Sequence, residues 1–290
     1  LKHLGCKKMT LSEKIINRIN NIPTLPTIYE TLSNALNDPK VSNQKIAQII
    51  SSDQSSAFKV LKVANSPFFG FRGGVDTISQ AIMYLGTTEI RNIVFSLSIM
   101  KMFSKEKKIA GLSPIELWAH SIGVGILTRS IGKVIAEPKV ENYFLAGILH
   151  DIGKILLLQF AHEEYNEVIE YAEKNNCLIL QAEQQIFGFD HSRIGYLLAE
   201  KWRLPQVLKD VILYHSTGIS NDSSRNIVAA VHIADISARV LKFGFAGDNL
   251  IPEPNIKVWE QINLPQSFFT TNYDKFIDDY NQTVQTILVD

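Results

Sequence analysis

Apolar residues recur at three- and four-residue intervals along almost the whole chain, and no period-two alternation runs long enough to argue for a sheet. That pattern restricts the fold class to all-α. IPTLPTIYETLSNAL carries Leu25, Ile28, Leu32 and Leu36 on one helical face, with Pro26 placed to start the helix. The next stretch sets Ile46, Ile49 and Ile50, then Phe58, Leu61 and Val63, in the same rhythm. TTEIRNIVFSLSIMKMF repeats it with Ile90, Ile93, Val94 and Leu97, after a glycine-rich loop, FFGFRGGVDTI.

Capping signals punctuate the helices. Thr10 and Glu13 stand in capping-box spacing, where hydroxyl and carboxylate each satisfy an otherwise orphan amide. Ser113, Pro114 and Glu116 give an N-cap, a first-turn proline and a capping-box acid together. The polar run SKEKK at 104–108 reads as a solvated linker just before that start. The expected organisation is therefore a leader at 1–8 with no weight in the fold, an N-terminal helical part at 9–108, a second helical part at 109–245 and a tail at 246–290. In the tail, IKVWEQINLP and NYDKFIDDYNQTVQTIL suggest smaller closing helices, and FIDDYNQ reads as a solvated face.

One stretch breaks the apolar rule. AGILHDIGKILL, residues 146–157, sets His150, Asp151 and Lys154 inside an otherwise apolar run. A carboxylate buried without a partner is so unfavourable that it is normally paired, protonated or bound to metal. Other segments aim polar groups the same way. His120 shares a stripe with Val124, Leu127, Ile131 and Val134; His215 follows Leu208 and Val211; Asp235 follows Val228 and Val231. His191, after the FGFD turn, can reach the same region from a helix N-terminus. Each group left unsatisfied in a core would cost about 1–3 kcal/mol, so several converging together point to a shared site. Nitrogen and oxygen donors without thiolate suit a divalent metal such as Mn, Fe, Ni or Zn. His3 falls in the leader, His162 beside two acids reads as a surface residue, and His232 as a core or supporting residue.

Composition excludes several classes. Lys plus Arg and Asp plus Glu number 29 each, so no net field attracts nucleic acid or an anionic membrane. No Lys/Arg cluster interleaved with aromatics appears. The two cysteines, Cys6 and Cys177, lack zinc spacing and fit a reducing compartment. No unbroken apolar stretch or signal-peptide pattern argues for membrane insertion, so a cytoplasmic location is expected.

His120, the His150–Asp151 pair and Asp235 resemble the H…HD…D signature of the HD superfamily of metal-dependent phosphohydrolases. More narrowly, the chain resembles the HDOD family, the HD-related output domains of bacterial signalling proteins, over roughly residues 20–245. IPTLP at 22–26, KVLKVANSPFFG, TISQAIMYLG, LWAHS, AGILHDIGKILLL, FGFDHSRIG, WRLP and HIAD carry the resemblance. It implies an N-terminal helical bundle packed with an HD-like one, and a role in signal transduction with no generally established catalysis. It implies metal ligands at His120, His150, Asp151 and Asp235, with His191 and His215 as additional ones. The HD-GYP phosphodiesterases of cyclic di-GMP are similar only in part. Their paired histidines are His215–Ser216 here, and the GYP segment is missing, which argues against a multi-metal centre. SDQ at 52–54 also stands where the family often has Asp-Pro.

Three readings follow. The first is a regulatory module working in trans on other signalling proteins, with a degenerate HD-type pocket. The second is a metal-dependent phosphohydrolase of a nucleotide or cyclic dinucleotide, with Lys154 as the catalytic, phosphate-facing cation. The third is a helical scaffold whose core polar groups bond one another. In all three, Asp151 is expected at the centre of a cluster with His120, His150 and Asp235, and Lys154 at its rim.

Overall fold

The structure is a computed structural model that describes residues 11–19, 24–69, 74–103, 109, 111–220 and 223–289. Fifteen α-helices are described: α1 (Leu11–Ile19), α2 (Thr27–Leu36), α3 (Asn43–Ser51), α4 (Gln54–Ala64), α5 (Ile78–Met102), α6 (Pro114–Val134), α7 (Glu141–Leu149) and α8 (Ile152–Phe160). They continue with α9 (His162–Asn175), α10 (Ile179–Phe187), α11 (His191–Lys201), α12 (Gln206–Tyr214), α13 (Arg225–Val240), α14 (Ile256–Ile262) and α15 (Phe268–Leu288). A 3-10 turn at Pro67–Phe69 follows α4. Among the described residues there is no strand, only a bridge between Ile109 and Leu112, so the all-α expectation holds.

Local chemistry explains the helix starts. Thr77 and Gln80 form a reciprocal capping box at α5, at 3.2 and 3.1 Å. Ser113 accepts the Glu116 amide at 3.2 Å at α6, with Pro114 in the first turn as the sequence predicts. Asp53 of the SDQ segment caps α4 by accepting the Ser55 amide, so the missing proline leaves the turn intact. Gly86 breaks α5 with φ +82°, a conformation that favours glycine, and so divides the helix into two segments. The expected capping box at Thr10 and Glu13, the 1–8 leader with His3 and Cys6, and the linker at 104–108 lie outside what is described.

A continuous apolar core runs from Ile15 in α1 to Ile287 in α15. α6 is its axis and packs against α7, α8, α13 and α15. α5 gathers α2, α3 and α4 and lies on α7, which ties the N-terminal helices to the rest. Aromatics pack on both sides of α5: Tyr29 of α2 stacks on Phe95 at 4.0 Å, and Trp202, just after α11, meets Phe95 edge-on at 6.4 Å. α7 and α8 together, Glu141–Phe160, are long and apolar enough to cross a membrane at mean hydropathy 1.3, yet 89% of that window is buried inside the fold.

Four expectations are corrected. Phe58 is 67% exposed and Val134 46% exposed, although both continue an apolar stripe. Val134 is the last residue of α6. The tail closes on a 21-residue helix rather than only small ones, and FIDDYNQ is not simply solvated. Phe276, Asp279 and Thr283 are buried at helical spacing, with Asp279 paired to Lys275.

Candidate metal centre

Six helices bring the polar groups together. His120 projects from the second turn of α6 and Asp235 from the middle of α13. His150 ends α7 and Asp151 begins α8, where a sharp turn (Asp151 φ −101°, ψ 16°) directs both inward. His191 is the first residue of α11, held by Asp190 as N-cap, and His215 closes α12. Gly153 makes the arrangement possible: a Cβ there would lie 1.8 Å from the His191 carbonyl oxygen, so only glycine lets α8 approach α11 this closely.

The ligand atoms form two groups of three, each within 4.8 Å: His120, His150 and Asp235, and Asp151, His191 and His215. In the first, His120 Nε2 lies 2.9 Å and His150 Nε2 3.9 Å from Asp235 Oδ1. In the second, Asp151 Oδ1 lies 3.2 Å from His191 Nε2 and 3.5 Å from His215 Nε2, which are 3.4 Å apart. His150 Nε2, 3.3 Å from Asp151 Oδ2, links them. Asp151 thus stands with His191 and His215 rather than with His120 and Asp235. Lys154 is not at the rim. It is 1% exposed and donates to Asp151 Oδ2 at 2.7 Å, so it is committed to the carboxylate.

The outer partners fix the imidazoles. Each Nδ1 faces an oxygen acceptor: Phe243 O for His120 (3.1 Å), Gly147 O for His150 (2.7 Å), Glu183 Oε2 for His191 (2.6 Å) and Ile212 O for His215 (3.0 Å). A carbonyl or carboxylate oxygen only accepts, so the Nδ1 atoms carry the protons. In the neutral ring, Nε2 then presents a lone pair toward the centre, as metal-ligating histidines do. His150 Nε2 and Asp151 Oδ1 are buried and make no well-aligned hydrogen bond, although His150 Nε2 lies 3.3 Å from Asp151 Oδ2 and Asp151 Oδ1 lies 3.2 Å from His191 Nε2. A cation would give both atoms a partner, so the residues present fit a divalent metal.

Burial pulls the Asp151 carboxyl upward, but Lys154 and the surrounding imidazoles outweigh it and hold it well below the usual carboxylate range. Asp235 behaves alike, with Arg239 and His120 opposing burial. Burial lowers His120 and His215. His191 is raised to about 9, burial being overcome by the Glu183 carboxylate.

Three contributors escaped the sequence reading. Glu183, fully buried, accepts from Tyr165 Oη (2.8 Å) and from the His191 backbone (2.8 Å) and ring; its spacing from Ile179 already put it on the inward face of α10. Arg239, one turn after Asp235, donates to Asp235 Oδ1 (3.4 Å), Asp248 Oδ1 (3.1 Å) and Leu250 O (3.2 Å). Asp248 also accepts the first amide of α10, Ile179 N, at 3.0 Å, and no periodicity marks it. His232 is a supporting residue: it donates Nδ1–H to His215 O (2.9 Å) and accepts from Asn255 N (3.2 Å). His162 is half-buried against Leu158 O rather than on the surface.

A cavity of about 330 Å³ lined by His120, Arg239, Lys242, Asp248 and Asn249 borders the cluster at His120. A larger one, about 610 Å³, lies apart from it among α4, α5, α6 and α15, and no cluster residue lines it.

Residues 22–217 match the HDOD domain. An HDOD domain protein from Geobacter sulfurreducens, whose function is unknown, shares the structure with TM-score 0.82 and 26% identity, covering 96% of this chain and 97% of that one. A candidate phosphohydrolase from Shewanella amazonensis SB2B gives TM-score 0.73 at 20% identity, covering 94% of this chain and 98% of that one. A candidate signal transduction protein from Marinobacter aquaeolei VT8 gives 0.71 at 18%, covering 94% and 65%. An uncharacterized protein of Treponema pallidum (strain Nichols) is 23% identical over 236 residues, 80% of this chain and 45% of that protein. YuxH, an uncharacterized protein of Bacillus subtilis (strain 168), is 25% identical over 142 residues, 49% of this chain and 32% of that protein. The chain thus covers less than half the length of the curated relatives it matches.

Proposed function

The chain belongs to the HDOD family, and from that premise we propose that it is a bacterial signal-transduction module acting in trans on other signalling proteins. Its HD-type pocket is degenerate: able to hold metal but not built for hydrolysis. One observation carries this. Both carboxylates that a hydrolytic metal centre would use already have a protein cation, Lys154 on Asp151 at 2.7 Å and Arg239 on Asp235 at 3.4 Å, and no ligand residue is more than 7% exposed. A substrate phosphate needs unclaimed cations facing an open site, and here the nearest ones neutralise the ligands. The bacterial relatives extend well beyond the aligned region, which suits a module that operates beside others. A cytoplasmic location is part of the same proposal.

The two His₂Asp groups favour one other reading, a metal-dependent phosphohydrolase. A divalent cation there would supply a Lewis acid and a water of lowered pKa. In that reading Lys154 does not face phosphate; Arg239 and Lys242, which line the cavity, do. The test is turnover. The purified full chain, given Mn, Fe or Ni, should not hydrolyse cyclic di-GMP, mononucleotides or simple phosphate esters above the buffer rate. Turnover that disappears in Asp151→Asn would replace the regulatory reading with the hydrolytic one.

A further inference from the structure

We infer that the pocket holds a single divalent first-row cation, in the Asp151–His191–His215 triad, and that the Arg239 guanidinium takes the place of a second cation at Asp235. The inference rests on the pocket being metal-competent, and it deepens that reading by saying where the metal sits and why there is one.

The two triads have the same donor types but not the same availability. In the Asp151 triad the three separations are 3.2, 3.4 and 3.5 Å. Ligands on a tetrahedral cation with bonds of about 2.0–2.1 Å lie roughly 3.3–3.4 Å apart, so these atoms already stand at coordination spacing. Asp151 divides its oxygens: Oδ2 takes Lys154, while Oδ1 faces the two imidazoles with no hydrogen bond. His191 also has a carboxylate behind it, Glu183 at 2.6 Å from Nδ1, the arrangement that orients a ligating imidazole and makes it more basic.

The Asp235 triad differs in each respect. Its ligand oxygen, Oδ1, accepts from Arg239 Nε at 3.4 Å; His120 Nε2 lies 2.9 Å and His150 Nε2 3.9 Å from it. Neither histidine has a carboxylate behind it; both donate to backbone carbonyls. Arg239 is not free to swing away, because Asp248 Oδ1 and Leu250 O hold its other end and Asp248 is itself bound to Ile179 N. A dication arriving at Asp235 would meet a fixed positive charge on the oxygen it needs. The guanidinium cannot yield by losing a proton.

The experiment uses the full chain, stripped with chelator and titrated with Co(II) by calorimetry, together with crystals soaked in Co(II) for anomalous scattering at the cobalt edge. The expected results are one equivalent bound and one anomalous peak among Asp151, His191 and His215. His215→Gln should weaken binding at least about 100-fold, whereas His120→Gln should keep the single equivalent. Arg239→Met should gain a second equivalent, its affinity rising about tenfold or more over the native chain at that place. Two equivalents in the native chain, none at all, or a peak at His120–Asp235 would overturn the inference. So would an Arg239→Met protein that still binds one. If His215→Gln does not fold, the native stoichiometry and map decide alone. Turnover by the one-metal protein would refute the regulatory reading and leave this assignment standing, so the two fail separately.

Discussion

Replacing Asp151 by Asn removes the charge that Lys154 and three imidazoles share. Lys154 Nζ is 2.7 Å from Asp151 Oδ2, and the two side chains are 1% exposed each. At that separation the attraction is about 6 kcal/mol for an effective dielectric near 20, but it is offset by the desolvation of both groups. What the variant exposes is the uncompensated ammonium, at about 3–5 kcal/mol. Lys154→Met should cost less, about 1–3 kcal/mol, because His191, raised to about 9 by Glu183, remains a protonatable partner for Asp151. The double variant leaves neither charge, so it should be more stable than the sum of the singles implies, with a coupling of about 2–3 kcal/mol. Urea unfolding followed by circular dichroism, at pH 7.5 with chelator present, reads these values from midpoints at a common slope. An Asp151→Asn loss under about 1 kcal/mol, or singles that add to within about 0.5 kcal/mol, would refute the charge-pair reasoning.

Glu89 predicts a pH dependence away from the cluster. Burial raises its carboxyl to about 7, only partly offset by Arg129 at 3.7 Å. The folded chain then binds the extra proton between the ordinary carboxyl value and about 7, so the stability tied to Glu89 is full below about 4.5 and is lost as pH rises to about 7. Glu89→Gln should therefore gain on the native chain by about 2.5 kcal/mol between pH 5 and 8 in chelator-treated urea titrations, and parallel pH profiles would contradict it. Gly153→Ala should cost about 3 kcal/mol or more and abolish Co(II) binding, since its Cβ would meet the His191 carbonyl oxygen; native-like binding in calorimetry would show that α8 and α11 have room to part. Glu183→Gln should lower Co(II) affinity about 10–100-fold with the fold intact by circular dichroism, and an unchanged affinity would remove Glu183 from the site.

The fold class and most inward residues were legible because helical spacing is a local property. Leu208, Val211 and His215, or Val228, Val231 and Asp235, fall on one face whatever the rest of the chain does, and all are buried. The division of the site into two triads was not legible. It depends on how α8 meets α11, a tertiary contact set by Gly153, so Asp151 joined His191 and His215 rather than His120. Lys154 was misplaced for a related reason. Long cations usually keep their heads in water, and only the pairing with Asp151 shows why this one is buried. Arg239 stands one turn from Asp235, a spacing that commonly marks a surface pair, and Asp248 lies in an irregular segment without periodicity. The exposed ends of apolar stripes, Phe58 and Val134, show the converse limit: periodicity gives a face but not how far its cover extends.

The central claim is that buried His and Asp side chains from separate helices form a metal-competent cluster. Thermal unfolding of the full chain, stripped with chelator and then resupplied with Co(II) or Zn(II), tests it most directly. A ligand at about 100 times its Kd stabilises the native state by about 2.7 kcal/mol, which for a chain of this size is a rise in Tm of roughly 4–5 °C. The account predicts that rise in the native chain and its loss in Asp151→Asn. A Tm that does not change with metal, or that rises equally in Asp151→Asn, would contradict it.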